Sequence, residues 1–328
     1  MRLTFLGTSA GLPTNERNVT ALALAMDNSR RWYLTDCGEG TQQQLMYCQY
    51  SLSQLQAIFI THVHGDHTFG LPGLITSASM QGRQAPLVIC APEGVESFVR
   101  HTLKCTDSWN LPFELSFRRS DEAGFAYADD TVSVTSHPLS HRVPSFAYRY
   151  TEATPTPQLD IQKLQTLSVP QGSLWGQLQQ GKTVVLDNGQ RIAPEQVIAT
   201  RPKPRIVVIG GDNDRPDLLD AILPDTDLLV HEATFTHDVL QKVGPNWMHS
   251  TAKMVALAAA KANLPHLILT HFSGRFRLSA KPGEKSVELL RQEAQQFYRG
   301  QVELAEDFAV WELSRKGGLQ QVHGNKRR

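Results

Sequence analysis

Cysteine is scarce in this chain: Cys37, Cys48, Cys90 and Cys105 are its four, and no pair has CxxC spacing. That scarcity excludes a disulfide frame and a thiolate zinc site, and predicts reduced, mostly buried thiols. Long apolar runs are missing too. Nothing approaches the ~20 consecutive apolar residues of a membrane-spanning helix, so no membrane partner is expected. The apolar stretch Met1 to Gly7 is too short for a secretory leader and reads as a first strand, which leaves the cytoplasm as the expected compartment. Neither charge is in excess, with 32 Lys plus Arg against 32 Asp plus Glu. Global charge therefore favours no polyanionic partner, and an enzyme acting on nucleic acid would need local basic patches. Two stretches qualify: Arg201-Pro202-Lys203-Pro204-Arg205 and the tail Lys326-Arg327-Arg328.

What is present points to a layered α/β protein. At 328 residues the chain can bury a substantial core. Short β-branched runs at 56–61, 86–90, 206–209, 228–230 and 267–270 read as buried strands. Helices are expected at 41–48, 93–104, 251–262 and 285–298, with Ser250 capping the third and Asn263 and Pro265 closing it. Such alternation predicts helices layered on sheets. One segment breaks the rhythm. Residues 151–204 are rich in Gln, Pro and Thr, and a hairpin turning at Asn188-Gly189 is expected inside them. The segment reads as an insertion projecting from a single domain that spans 1–328.

The chemistry concentrates in Phe59-Ile60-Thr61-His62-Val63-His64-Gly65-Asp66-His67. A buried strand runs directly into four potential metal ligands. Side chains alternate along a strand, so His62 and His64 point the same way. Gly65 lets the backbone turn, which can bring Asp66 and His67 to a second position. Imidazole and carboxylate ligands suit zinc and its first-row neighbours. Further ligands are available where other strands end: Asp212, His231 and Glu232, His271, and either His137 or His141.

These residues resemble the metallo-β-lactamase superfamily through His62-x-His64-x-Asp66-His67. The resemblance narrows to the ribonuclease Z family through Gly7-Thr8-Ser9-Ala10-Gly11, Asp36-Cys37-Gly38-Glu39-Gly40, Gly70-Leu71-Pro72-Gly73, His231-Glu232-Ala233-Thr234, His249-Ser250-Thr251 and Thr270-His271. It implies an αββα sandwich with a projecting arm, and two Zn2+ ions per subunit with Mn2+ or Co2+ as substitutes. By position, His62, His64 and His141 would hold one ion, and Asp66, His67 and His271 the other. Asp212 would bridge them. His141 is preferred to His137 on the resemblance, since spacing leaves both open. Two positions depart from the family pattern: Gly172-Ser173 stands for Gly-Pro, and Asp212-Asn213 for Asp-Thr.

The implied reaction is hydrolysis of precursor tRNA on the 3′ side of the discriminator nucleotide, leaving a 3′-hydroxyl. Asp66 is expected to orient the water and take its proton, and His249 to act as general acid with Glu232 behind it. Ser273 and Arg275 are candidate contacts to the scissile phosphate, and Lys182, Arg201, Lys203 and Arg205 to the tRNA body. A homodimer in which one arm serves the other subunit's site is also implied. Two other readings remain: a small phosphodiester or thioester hydrolase, which has no need of the insertion, and a non-catalytic RNA-binding metalloprotein, which has no need of Asp66, Glu232 and His249.

Overall fold

The computed structural model describes residues 1–27 and 29–322, and the basic tail at Lys326-Arg327-Arg328 lies outside them. Two large sheets face each other. The first runs, edge to edge, through Leu319–Val322, Val310–Leu313, Arg2–Gly7, Ala21–Ala25, Trp32–Thr35, Leu55–Phe59, Leu87–Ala91 and Leu115–Arg119. The second runs through Gln301–Leu304, His266–Thr270, Leu228–Glu232, Ile206–Ile209, Ser145–Glu152, Val132–Leu139 and Ala126–Ala128.

The continuous apolar runs follow from coverage on both faces. Successive residues of a strand enter different layers. Phe59, Val207 and Ile268 join Leu3, Phe5, Tyr148 and Tyr150 between the sheets. Their chain neighbours Ile58, Val208 and Leu267 face outward. Ile58 packs under the helices Leu71–Met80 and Val95–Cys105, while Val208 and Leu267 pack under Ala252–Lys261 and Glu288–Phe297. Each such side chain, fully buried, contributes about 1.5–3 kcal/mol. The layers are therefore helix, sheet, sheet, helix, the expected sandwich.

Local chemistry shifted some expected boundaries. The third expected helix begins one residue later, because Thr251 rather than Ser250 is its cap: the Thr251 hydroxyl accepts from Met254 N at 3.3 Å. Ser250 is drawn away, its hydroxyl donating to the Asn213 carbonyl. The last expected helix loses its first turn, since Lys285–Ser286 pairs with Phe276–Arg277 as a short strand.

Between Glu152 and Ile206 the chain leaves the sheets. It builds helices Ile161–Thr166, Ser173–Gln179 and Pro194–Val197, and pairs Gln158–Leu159 with Ile198–Thr200. Leu164, Leu178, Val184, Ile192 and Val197 form a core of their own there. The hairpin expected at Asn188-Gly189 joins Val184–Val185 to Arg191–Ile192, with Gly189 at φ 82°. That positive φ is what glycine supplies.

Parallel pairing positions the site. Ile206–Ile209, Leu228–Glu232 and His266–Thr270 run parallel in one sheet, and Trp32–Thr35 and Leu55–Phe59 run parallel in the other. Their carboxyl ends deliver the residues described next.

Candidate active site

Where Leu55–Phe59 ends, the chain stays buried through Thr61 and His62. His64 then holds an extended conformation (φ −60°, ψ 152°) and opens the one-turn helix Gly65–Thr68. Thr68 locks that turn by donating its hydroxyl to the His64 carbonyl at 2.9 Å. A Cβ at Gly65 would lie 2.3 Å from the exposed Phe69 ring and would displace it. Gly211 is needed for room. A Cβ there would lie 2.6 Å from Thr61 Cβ, so its absence lets Asp212 press against the strand that carries His62.

Asp212 lies between two groups of donors. Its Oδ2 is 3.6 Å from His62 Nε2 and 3.7 Å from His141 Nε2. His64 completes this group, its Nδ1 being 3.0 Å from His62 Nε2 and 3.3 Å from His141 Nε2. The Oδ1 of Asp212 is 3.5 Å from His67 Nε2 and 3.4 Å from His271 Nε2. Asp66 Oδ2 lies 3.5 Å from His67 Nε2 and 3.4 Å from His271 Nε2. In each group the donor atoms fall within 4.8 Å of one another, the spacing of ligands around one ion.

A cation fits this arrangement. His67 Nε2 and Asp212 Oδ1 are buried without a hydrogen-bond partner, which is costly unless something positive bridges them. Burial, reinforced by the neighbouring imidazoles, holds His62 well below its ordinary pKa, and burial lowers His64 and His141 as well. All three are therefore neutral, with the free lone pairs that a metal requires. Burial works against charge on Asp66 and Asp212, yet His67 and His271 hold both carboxyls well below the usual range. The imidazole and carboxylate donors are those zinc and its first-row neighbours accept.

Three of the ligand histidines are held from behind. Asp36 Oδ2 accepts from His67 Nδ1 at 2.7 Å, and the Met248 carbonyl accepts from His141 Nδ1 at 2.9 Å. Thr234 Oγ1 lies 3.0 Å from His271 Nδ1 and donates to Glu232 Oε2 at 2.7 Å. Fixing one ring nitrogen directs the other inward.

Beside the ligand cluster, His249 Nδ1 donates to Glu232 Oε1 at 3.1 Å, and Ser250 N donates to the same oxygen at 2.8 Å. Burial opposes charge on His249, but Glu232 and then Asp212 overcome it and push its pKa up to about 9. A cleft of about 650 Å³ opens here, with His249, Ser273 and Arg275 in its wall. Arg275 Nη1 donates to Ser273 Oγ at 3.3 Å.

Comparison with known proteins adds a lineage to this geometry. A family profile described as Anti-Pycsar protein Apyc1 matches residues 1–110, which hold His62 to His67 but not the rest of the centre. Ribonuclease Z of Marinobacter nauticus is 47% identical over 325 residues, covering 99% of this chain and all of its own. The chain belongs to the ribonuclease Z family. The crystal structure of the short form of human tRNase Z (ELAC1) aligns with a TM-score of 0.64 at 28% identity, over 96% of this chain and 100% of that one. The Bacillus subtilis protein YhfI, a metallo-β-lactamase fold protein, aligns with the same TM-score at 18% identity, over 94% of this chain and 98% of its own. Likeness that low shows the fold alone. The expected metal-dependent ribonuclease of metallo-β-lactamase fold is thus borne out.

In this ribonuclease Z family member, several expected residues lie away from the cluster. His137 sits within the Val132–Leu139 strand and bonds Thr135 Oγ1 at 3.0 Å, whereas His141 lies beyond the strand end and reaches the cluster. His231 is buried behind Asp212, 2.7 Å from the Glu232 carbonyl and 3.1 Å from Asn213 Nδ2. Asn213, a departure from the family pattern, also accepts from Ser140 N at 3.2 Å and so ties the approach to His141. Lys182, Arg201 and Lys203 are on the insertion and exposed there.

Arg205 requires correction as an RNA contact. It is 4% exposed and spends its guanidinium on Glu152 Oε1 at 2.7 Å and Asp27 Oδ2 at 2.8 Å. Sequence reasoning also missed Asp36, Thr234 and Met248 as supports of the ligand histidines. No local pattern reveals them, because each partner is distant in sequence.

Proposed function

We propose that this chain removes the 3′ trailer of precursor tRNA, cutting on the 3′ side of the discriminator nucleotide and leaving a 3′-hydroxyl. The observation that carries the proposal is Asp212 shared between two donor groups, directly beside the Glu232–His249 pair. His62, His64 and His141 would hold one zinc ion, and Asp66, His67 and His271 a second, with Asp212 between them. Zinc there, or manganese or cobalt in its place, would acidify a water toward pKa ~7 and neutralise charge on the phosphate oxygens.

The chain's own groups supply the rest. Asp66, fixed by the Gly11 N–H at 2.8 Å, aligns the attacking water and takes its proton. His249 delivers a proton from Nε2 to the departing 3′-oxygen of the discriminator nucleotide, because Glu232 occupies Nδ1 and keeps the ring charged. Arg275, steadied on Ser273, contacts the scissile phosphate. The insertion acts as an arm that grips the tRNA through Lys182, Arg201 and Lys203. The protein works as a cytoplasmic homodimer in which one subunit's arm serves its partner's site.

The test compares precursor tRNA with a bis(p-nitrophenyl) phosphate chromogen. Asp66→Ala and His249→Ala are each expected to lower cleavage of the precursor by at least ~10²-fold. Replacing residues 153–204 with a short linker should cripple tRNA cleavage and spare the chromogen. Wild type that turned over only the chromogen would make this a small-diester hydrolase. Metal-loaded protein that turned over neither would be a binding protein.

A further inference from the structure

The cleft beside the ligand cluster is more positive than a single phosphodiester needs. Arg275, Arg277 and His249 line it, and Glu232 keeps the His249 ring charged. Among the described residues, no aspartate or glutamate lies in its wall. The diester being cut brings one negative charge. Arg275, steadied on Ser273, meets that charge in the function proposed above, and His249 meets the departing oxygen. Arg277 is left over.

Among the described residues its guanidinium has no hydrogen-bonding or ion-pair partner. The fold holds Arg277 by its backbone, which pairs with Ser286 and accepts from Val287 N at 3.0 Å. Phe276, between the two arginines, is fully buried, so both of their side chains emerge away from it at the cleft. Two residues of chain separate their Cα atoms by at most ~7 Å. Side chains of that length and spacing can serve successive phosphates of one strand.

A third guanidinium lies underneath. Arg17, 2% exposed, donates through Nη2 to the Ser273 carbonyl at 3.3 Å and the Phe276 carbonyl at 2.7 Å. Its Nε and Nη1 are buried without partners. The nearby carboxylates hold backbone and hydroxyl groups instead. Glu16 accepts from Leu278 N at 3.0 Å, and Asp307 accepts from Thr8 Oγ1 and Asn18 N. Burial pushes the Arg17 pKa down and the Arg277 charge adds to that, against Glu16 and Asp307. Like charges gathered in this way repel one another, and a bound anion relieves the repulsion.

We infer that Arg277 binds the phosphate adjoining the scissile one in the same RNA strand, so that the site grips a polynucleotide and not merely an isolated diester; this rests on the function proposed above. The contact is to backbone, so it fixes register without selecting a base.

The experiment measures kcat and KM on three precursor tRNAs. One is all-phosphate, and the others carry a neutral methylphosphonate at the phosphate immediately 5′ or immediately 3′ of the scissile one. Arg277→Ala should lose roughly 10- to 100-fold in kcat/KM on the all-phosphate precursor, as for a charged hydrogen bond removed. The loss should fall mainly on KM, because the contact is made equally before and during the reaction. The log–log salt dependence of KM should flatten by about 0.7, the single-strand increment for one phosphate. Arg277→Lys should restore that slope and part of KM, since it keeps the charge but not the fork. On at least one neutral substrate wild type should lose a similar factor and Arg277→Ala nothing further, and that substrate identifies the side. The inference is overturned if Arg277→Ala cleaves the all-phosphate precursor like wild type, or if neither neutral substrate cancels its loss. Wild type that cleaves no precursor would overturn the proposed function itself, a separate result.

Discussion

Asp36 shows how much of this centre depends on residues that would touch neither metal nor substrate. It adopts the left-handed conformation, φ 59°, and its carboxylate receives Thr61 N at 2.8 Å as well as His67 Nδ1. One side chain thereby joins the end of the Trp32–Thr35 strand to the residue before His62 and to a ligand candidate. Asp36→Ala would free the His67 ring and leave the Thr61 N–H unpaired. Zinc affinity should fall by about 10- to 100-fold, read by competition with a chromophoric chelator. Unchanged affinity would show that packing alone orients His67. His141 and His137 are also distinguished at this scale. Both residues follow the same apolar run, and spacing could not separate them. The structure does so because His137 is still paired in the sheet, opposite Ala147, whereas His141 comes after the last pair, Leu139 with Ser145.

At the scale of elements, strand ends bring the ligand candidates together, and the root of the insertion holds a buried charge network. Arg205 bonds Glu152 through Nε at 3.0 Å and through Nη2, and Arg315 reaches the same carboxylate at 2.7 Å. The two ends of the insertion are thus clamped together where it leaves the sheet. Arg205→Ala strands Glu152 and Asp27 with less countercharge and should cost about 3 kcal/mol, measured by urea unfolding. A loss within experimental error would mean that Arg315 alone neutralises the site. The exposed cations of the insertion predict something different. Replacing Lys182, Arg201 and Lys203 with Ala should weaken tRNA binding and flatten its salt dependence by roughly one log–log unit for each phosphate deprived of its cation. An unaltered salt slope would mean that tRNA lies elsewhere on the surface. The sequence joined Arg205 to this basic group because Arg201 to Arg205 reads as one run. It places a strand at 206–209 but cannot show that the distant Glu152 and Asp27 meet Arg205 at the entry to that strand.

For the whole molecule, the layered α/β class was legible because its signals are local and periodic, whereas the two-sheet sandwich followed from the family resemblance. Phe59-Ile60-Thr61-His62 announces a buried strand meeting ligands, and Leu267 to His271 repeats the pattern. The boundaries that moved did so where tertiary bonds compete with local ones: Ser250 gives its hydroxyl to Asn213 and leaves the cap to Thr251. What stayed hidden is the ring of supports, since His67 with Asp36 and His141 with Met248 are pairs that only the folded chain makes. The central claim, that Asp212 and its two donor groups form a metal centre for cutting precursor tRNA, is tested most directly on one substrate. Protein stripped by chelator and then reloaded with zinc would be incubated with a 3′-extended precursor, and the new 3′ end mapped. The account predicts no cleavage before reloading, and afterwards a single product ending in a 3′-hydroxyl just after the discriminator. Cleavage that survives chelation, or zinc-dependent cutting at scattered positions, would contradict it.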